Sequence, residues 1–285
     1  SAEIPFNELE LRPTSFAQGS FGEVFMGNYR KTTPVAAKSI FSYAVEGSVD
    51  EFKHEYAMLV KLRHPNIIRA YGTSMDVPRG TSYIVSELCL GGDLGSYLGP
   101  AAKRVLTPSG LGQIVSRTLE AVAYIHDSGI VHRDLKPLNI LFATEGDFSS
   151  VRICDLGMAQ LRSKTLKANE GTILYMPPEA LHLEDLYDDT GENYQGAAET
   201  GTVGLDANSP DTGSWDVYSL GVMYLELWER DHPWATVSMH NIARKLGKGK
   251  RPEFGSTSLL ALGPPPKALR ALVDAMCARD PAERP

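Results

Sequence analysis

Apolar and polar positions follow two different periods along this chain. In the first hundred residues, short runs rich in β-branched and aromatic side chains alternate with glycine-bearing turns. Residues 22–29 ("GEVFMGNY"), 34–40 ("PVAAKSI") and 81–88 ("TSYIVSEL") read as strands. One helical pattern interrupts them in residues 49–64, where Phe52, Tyr56, Leu59 and Val60 share a face and Asp50 and Glu51 suit the positive end of the helix dipole. From about residue 108 the period becomes helical. Leu111, Ile114, Val115, Leu119, Val122 and Ile125 repeat at helical spacing, and Gly129 supplies a stop. Residues 214–230 ("SWDVYSLGVMYLELWER") are apolar almost all round, which predicts a buried central helix. Two more helices are expected around residues 238–249 and 266–278. A β-rich part with one helix followed by a mostly helical part is an α+β chain in two lobes, residues 1–88 and 89–285, with the boundary near Cys89–Gly95.

Composition narrows the function classes. The 285 residues carry a formal net charge of −7, with no basic stripe for nucleic acid and no polybasic cluster for an anionic membrane. Three cysteines (Cys89, Cys154, Cys277) are too few and too scattered for a disulfide framework or a zinc site, and no apolar run reaches the ~18 residues of a membrane span. The expected setting is cytoplasmic, although a chain that opens on Ser1 without a methionine reads as an excised domain. The acidity is local. Between Lys167 and Arg230 there is no lysine or arginine, and the segment of about residues 182–213 holds eight carboxylates whose removal would take the net charge to +1. Its small and acidic residues predict loop or disorder.

Candidate chemistry begins in "SFAQGSFGEVF". Gly19 and Gly22 lie between strand-like runs, where they serve either a tight hairpin or a loop whose N–H groups approach a phosphate. In "VAAK", Lys38 alternates onto the face of Ala36 and needs an anionic partner, for which Glu55 on the predicted helix is the candidate. The stretch "IVHRDLKPLNILF" sets four ionisable residues between apolar flanks, with Asp134 and Asn139 five apart and Lys136 between them; "VRICDLGMA" follows with Asp155. Asn139 and Asp155 are oxygen ligands of the kind a phosphate-bound Mg²⁺ takes. Asp134 could accept a hydroxyl proton, and Lys136 could offset charge on a phosphoryl group in transfer.

In that order these motifs resemble the eukaryotic protein kinases over nearly the whole chain, from about Glu8 to Pro285. "AQGSFGEV" is similar to the Gly-rich loop, "HRDLKPLN" to the catalytic loop, "DLG" to the metal-binding Asp-Phe-Gly, and "PPE" to Ala-Pro-Glu. The resemblance implies a bilobal kinase fold, with the charged loop at the cleft between lobes, where ATP and Mg²⁺ (with Mn²⁺ able to substitute) balance it. It implies that Lys38 pairs with Glu55, that His132 packs with Leu59 and Leu156, and that Glu179 pairs with Arg284, with Asp216 as the structural aspartate. Phe16, Gly19, Gly22, Val24, Ala36 and Leu141 would surround the nucleotide. Ser86 would be the small gatekeeper, Glu87 and Cys89 would offer backbone bonds to adenine, and Asp93 would reach the ribose. Cys154 would line the same site and react with thiol reagents in preference to Cys277.

Lys136, Thr172, "EIPFNELEL", "HPNI" and "GKGKRPEF" resemble the tyrosine-kinase-like group of Ser/Thr kinases, which implies Ser/Thr-bearing protein substrates. Arg133 would await a phosphate on the activation segment, placed at Ser163, Thr165 or Thr172 by an upstream kinase or by autophosphorylation, Thr172 being also the residue the family uses to hold Asp134 and Lys136. Three departures stand out. Ala17 replaces the first loop glycine, Leu156 replaces a phenylalanine, and the chain stops after Arg284, short of the family's last helix. Ala17 is the main argument for the alternative, a pseudokinase scaffold that binds nucleotide weakly.

Overall fold

The computed structural model describes residues 3–19, 22–41, 48–98, 102, 104–161, 172–180, 213–234, 236–255 and 262–285. Its strands are β1 (Leu9–Gly19), β2 (Gly22–Tyr29), β3 (Thr33–Phe41), β4 (Ala70–Asp76), β5 (Thr81–Glu87), β6 (Ile130–Val131), β7 (Ile140–Phe142), β8 (Val151–Ile153) and β9 (Gln160–Leu161). Its helices are α1 (Ser48–Leu59), α2 (Pro108–Asp127), α3 (Ser214–Glu229), α4 (Met239–Gly247) and α5 (Lys267–Met276). They divide into two compact units, Ser1–Gly92 with Leu141–Ala159, and Asp93–Ile140 with Gln160–Pro285. The acidic stretch up to residue 212, the hairpin tip at residues 20–21, and Ser163 and Thr165 lie outside the described residues.

The first unit is built on a five-stranded antiparallel sheet in the order β1-β2-β3-β5-β4. The strand pleat turns alternate side chains of β3 to opposite faces. Val35 and Ala37 are completely buried and pack with Tyr83, Val85, Ile4 and Leu9, which leaves Ala36 and Lys38 on the other face. Phe6 stacks on Tyr83 with ring centroids 5.7 Å apart, so the first residues belong to this core. β1 contains Pro13, which a central strand would not tolerate. It is an edge strand, and its register shifts between Leu11 and Ser15 and again between Ser15 and Ala17.

Two of the five strands escape the patterning in whole or part: β1 is visible only in its last residues, and β4 not at all. Tyr71 and Met75 are the only large apolar side chains of β4, and Gly72, Thr73 and Ser74 hide its alternation. The helical face predicted for α1 also needs correction. Tyr56 and Leu59 are buried, but Val60 is 43% exposed because the helix ends at Leu59; Met58 is buried instead.

Leu141–Ala159 joins the first unit although it lies in the helical half of the sequence. Backbone bonds explain this: Ile153 N–H donates to Asn66 O (2.8 Å), Ile68 N–H to Ile153 O (2.9 Å) and Gly91 N–H to Phe142 O (2.8 Å).

In the second unit α2 starts where its sequence says it should. Thr107 Oγ1 accepts from Gly110 N–H at 3.0 Å and Pro108 occupies the first turn, while Gly129 ends the run at φ 73°. Leu111, Ile114, Val122 and Ile125 are buried, whereas Val115 and Leu119 are only half-buried. Ala121 and Thr118 complete the face, and the Thr118 hydroxyl satisfies itself against Ile114 O (2.7 Å) and Tyr224 OH (2.6 Å). α3 is the buried central helix that its all-round apolarity predicts, with residues 218–229 all buried.

Candidate active site

Each unit carries its own set of candidate residues. In the first unit, β3 delivers Lys38 and α1 delivers Glu55. The Lys38 ammonium donates to both Glu55 carboxylate oxygens, at 2.9 and 2.8 Å, and to Asp155 Oδ1 at 3.2 Å. Burial works against the Lys38 cation, but Glu55 and then Asp155 outweigh it and hold its pKa above the ordinary value. Lys38 is therefore a fixed positive charge. Asp155 sits at φ 63°, in the left-handed region where a non-glycine residue is strained, and the Lys38 bond meets its carboxylate in that conformation.

The remaining nucleotide candidates of this unit lie along its strands. Val24 faces Lys38 across β2 and β3, and Ala36 faces Ser86 across β3 and β5. Gly19 and Gly22 close the β1–β2 hairpin as a register pair. At Gly22 the structure gives a reason for glycine that the sequence does not show: a Cβ there would come within 1.8 Å of the Ser39 carbonyl oxygen. Close approach to β3 forbids a side chain whatever the loop binds. Phe16 lies at a β1 irregularity and is 45% exposed. Leu141 is half-buried. Glu87 turns its carboxylate to Arg152 and the Arg69 N–H and its own N–H to Arg69 O, so its backbone carbonyl is what it offers a ligand.

Cys154 keeps the greater exposure expected of it over the buried Cys277. It is partly exposed, as Cys89 is, but burial and then the neighbouring Asp155 carboxylate push its thiol far up, and burial pushes Cys89 to about 12. A thiol held neutral in this way is a poor nucleophile, so position alone does not make Cys154 reactive.

The second unit gathers Asp134, Lys136, Asn139 and Thr172. Asp134 Oδ1 accepts from the Thr172 N–H (3.1 Å) and hydroxyl (2.7 Å); Oδ2 accepts from Lys136 Nζ (2.6 Å) and Asn139 Nδ2 (3.1 Å). Lys136 Nζ also reaches Thr172 Oγ1 at 2.9 Å. Asn139 closes a short 3-10 turn, Pro137–Asn139, and spends its amide nitrogen on Asp134, including a 2.7 Å bond to the Asp134 carbonyl. Its carbonyl oxygen is the remaining donor atom, hard and neutral. That oxygen and the Asp155 carboxylate are the donor types that fit Mg²⁺, which takes few protein oxygens and completes its shell from phosphates and water.

This loop is anchored from below. Asp216, completely buried in the first turn of α3, accepts from the backbone N–H of His132 and Arg133 and from His126 Nε2, each at 2.8 Å. Burial alone would raise its pKa, but the His126 bond and charge and the His132 bond more than offset this and hold the carboxyl below its usual range. Arg133 is held at φ 70° with its guanidinium over the Trp215 ring, 5.7 Å from the centroid. Asp93 caps the short turn Leu94–Tyr97, accepting from Ser96 N–H at 3.1 Å. His132, Leu59 and Leu156 are each buried. Arg284 pairs with Glu179 through both terminal guanidinium nitrogens, the Nη2–Oε2 bond being 2.9 Å. Sequence reading passes over Tyr175 and Glu226. The Tyr175 hydroxyl donates to Glu226 Oε2 at 2.7 Å and ties the segment after Thr172 to α3.

A Lys–Glu pair and an aspartate on one unit, with an Asp–Lys–Asn–Thr cluster on the other, define the parts of a phosphotransferase of the protein kinase class. The chain belongs to that family: the model of the protein kinase domain matches residues 14–285. Among curated proteins it is similar to the calcium/calmodulin-dependent protein kinase type 1 of Macrobrachium nipponense, 34% identical over 166 residues, 57% of this chain and 47% of that protein. It is also similar to the MAP kinase kinase kinase wis4 of Schizosaccharomyces pombe, 30% identical over 94% of this chain and 18% of that protein. A third relative is the mitogen-activated protein kinase kinase kinase 7 of Drosophila melanogaster, 26% identical over 100% of this chain and 37% of that protein. The chain thus spans less than half the length of these relatives. Among the described residues no helix is long and apolar enough to cross a membrane.

Proposed function

We propose that this domain transfers the γ-phosphoryl group of ATP to serine and threonine hydroxyls of protein substrates. The reading rests above all on the Asp134 carboxylate, held by four hydrogen-bond donors with the Lys136 cation beside it. An aspartate so fixed can orient a hydroxyl and take its proton as the new phosphorus–oxygen bond forms and the bond to the β–γ bridging oxygen breaks, releasing ADP. Lys136 would offset charge on the transferred group, and Lys38, oriented by Glu55, would pair with the phosphates of the bound nucleotide. Mg²⁺, for which Mn²⁺ could substitute, would neutralise phosphate charge, with Asn139 and Asp155 as its protein ligands. Ser86, the Glu87 and Cys89 backbones, Val24, Ala36, Leu141 and Phe16 would receive the base, and Asp93 the ribose.

The preference for Ser/Thr is supported by Lys136 and its bond to Thr172. Regulation by phosphate at Ser163 or Thr165, received by Arg133 and installed by an upstream kinase or by the domain itself, and a cytoplasmic setting belong to the same proposal. The test is transfer from radiolabelled ATP to a generic protein substrate, followed by phosphoamino-acid analysis, with Asp134→Asn as the control. Labelled phosphoserine and phosphothreonine, absent in the variant, are expected. Nucleotide binding without transfer would instead support a scaffold.

A further inference from the structure

Glu87, the last residue of β5, and Arg152, in the middle of β8, form an ion pair that the catalytic reading does not use. Arg152 Nε donates to both carboxylate oxygens of Glu87, at 3.1 Å each. The Arg69 backbone N–H adds a third bond to Glu87 Oε1 at 2.8 Å, and Glu87 returns its own N–H to Arg69 O at 2.9 Å. The guanidinium is fixed at its other end as well, since Arg152 Nη1 donates to the carbonyl of Val151 at 3.0 Å.

A single ion pair that keeps 22% and 20% of its side chains exposed contributes little by itself. What this pair connects gives it a further consequence. One end is the backbone segment of Ser86 and Glu87. The other is β8, which ends at Ile153 two residues before Asp155, whose strained backbone and bond to Lys38 leave it little freedom. Asn66 backs the same strand, donating from Nδ2 to Val151 O at 3.0 Å.

On the reading that this unit binds ATP, we propose that the Glu87–Arg152 pair is a positioning device. It fixes β8, which leads into Asp155, against the β5 end that receives the base, so that both ends of one nucleotide are met without rearrangement. Pre-organisation of this kind acts on affinity. Loss of the pair therefore weakens nucleotide binding more than it slows transfer.

The test is ATP affinity by calorimetry in the presence of Mg²⁺, with steady-state kinetics in parallel, on Arg152→Gln, Arg152→Lys, Glu87→Gln and the double variant. Either Gln change is expected to raise Kd and KM for ATP by about five-fold with a change in kcat of less than about two-fold. The double variant should be no worse than the singles, because one interaction is lost in each. Arg152→Lys keeps the cation, should recover part of the affinity, and covers the case in which a Gln variant folds poorly. Unchanged ATP affinity at intact thermal stability overturns the proposal, as does a rise in kcat, which would make the pair a restraint. Wild-type ATP binding without transfer would instead sink the kinase reading, and the Kd shifts would still decide this one. A wild-type domain that binds no ATP overturns both.

Discussion

Lys136 and Thr172 meet at 2.9 Å across thirty-six residues of sequence, and both also bond the Asp134 carboxylate, closing a triangle around it. The hydroxyl of Thr172 accepts from the ammonium and donates to the carboxylate, so it relays between two charges instead of competing with either. A serine could make the same bonds; valine keeps the shape and makes none. Thr172→Val is therefore expected to lower kcat by ~10²-fold, and Thr172→Ser to stay within about ten-fold, since misplacement of a positioned group costs on that scale. Steady-state kinetics on both variants decide it. Equal activities would mean that the hydroxyl does not position Asp134.

Asp134 and Asp155 should fail differently. Asp155→Asn removes a carboxylate that meets Lys38 and is a candidate ligand for Mg²⁺, so MgATP binding and transfer should both fall. Asp134→Asn leaves the first unit untouched. Nucleotide affinity should persist while turnover drops by ~10²–10⁴-fold, the usual scale for a lost general base. Titration calorimetry of both variants separates the roles, and equal loss of ATP binding in the two contradicts them.

How much of this can be read from the sequence depends on how far each interaction reaches. Lys38, Glu55, Asp134, Asn139 and Asp155 are legible because their chemistry is written in short motifs, and α2 because Thr107, Pro108 and Gly129 act within a turn of themselves. Gly22 is legible only in part: its need for glycine comes from Ser39 on the neighbouring strand, which no local pattern records. Thr118 looks polar and therefore outward, yet it is buried because Tyr224, 106 positions away, shares a hydrogen bond with it. Tyr175 and Glu226 escape notice for the same reason, being separated by 51 positions and meaningful only as a pair.

That pair carries a pH dependence. Burial pushes the Glu226 carboxyl up from 4.5 to about 7, with the Tyr175 bond only partly opposing it and Asp231 adding to the rise. A folded pKa above the unfolded one gives stability that is fully present below about 4.5 and is lost as pH rises through about 7. A glutamine in place of Glu226 would accept the same Tyr175 bond without ever ionising. Glu226→Gln should match the unaltered domain near pH 4.5 and exceed it above neutrality by roughly 1–3 kcal/mol. Denaturant unfolding of both proteins across that range is the check; parallel curves would show that Glu226 ionises in the fold as easily as outside it.

The three cysteines should resist thiol reagents for a common electrostatic reason. Burial raises the thiols of Cys89 and Cys277 to about 12, and raises Cys154 further with the Asp155 carboxylate beside it. The thiolate is the nucleophile, and well below the pKa its fraction grows about ten-fold per pH unit. At pH 7.5 the folded domain should react with a soluble maleimide far more slowly than a free cysteine, and the rate should climb steeply towards pH 9. Lys38 works in the opposite direction on Cys154, because its positive charge favours the thiolate. Lys38→Met should therefore slow the labelling of Cys154 while leaving Cys277 unchanged. Unfolding in guanidinium should bring all three to the free-thiol rate. Rapid, stoichiometric labelling of Cys154 in the folded domain at neutral pH would show that its environment stabilises the thiolate, contrary to the burial and the carboxylate that surround it.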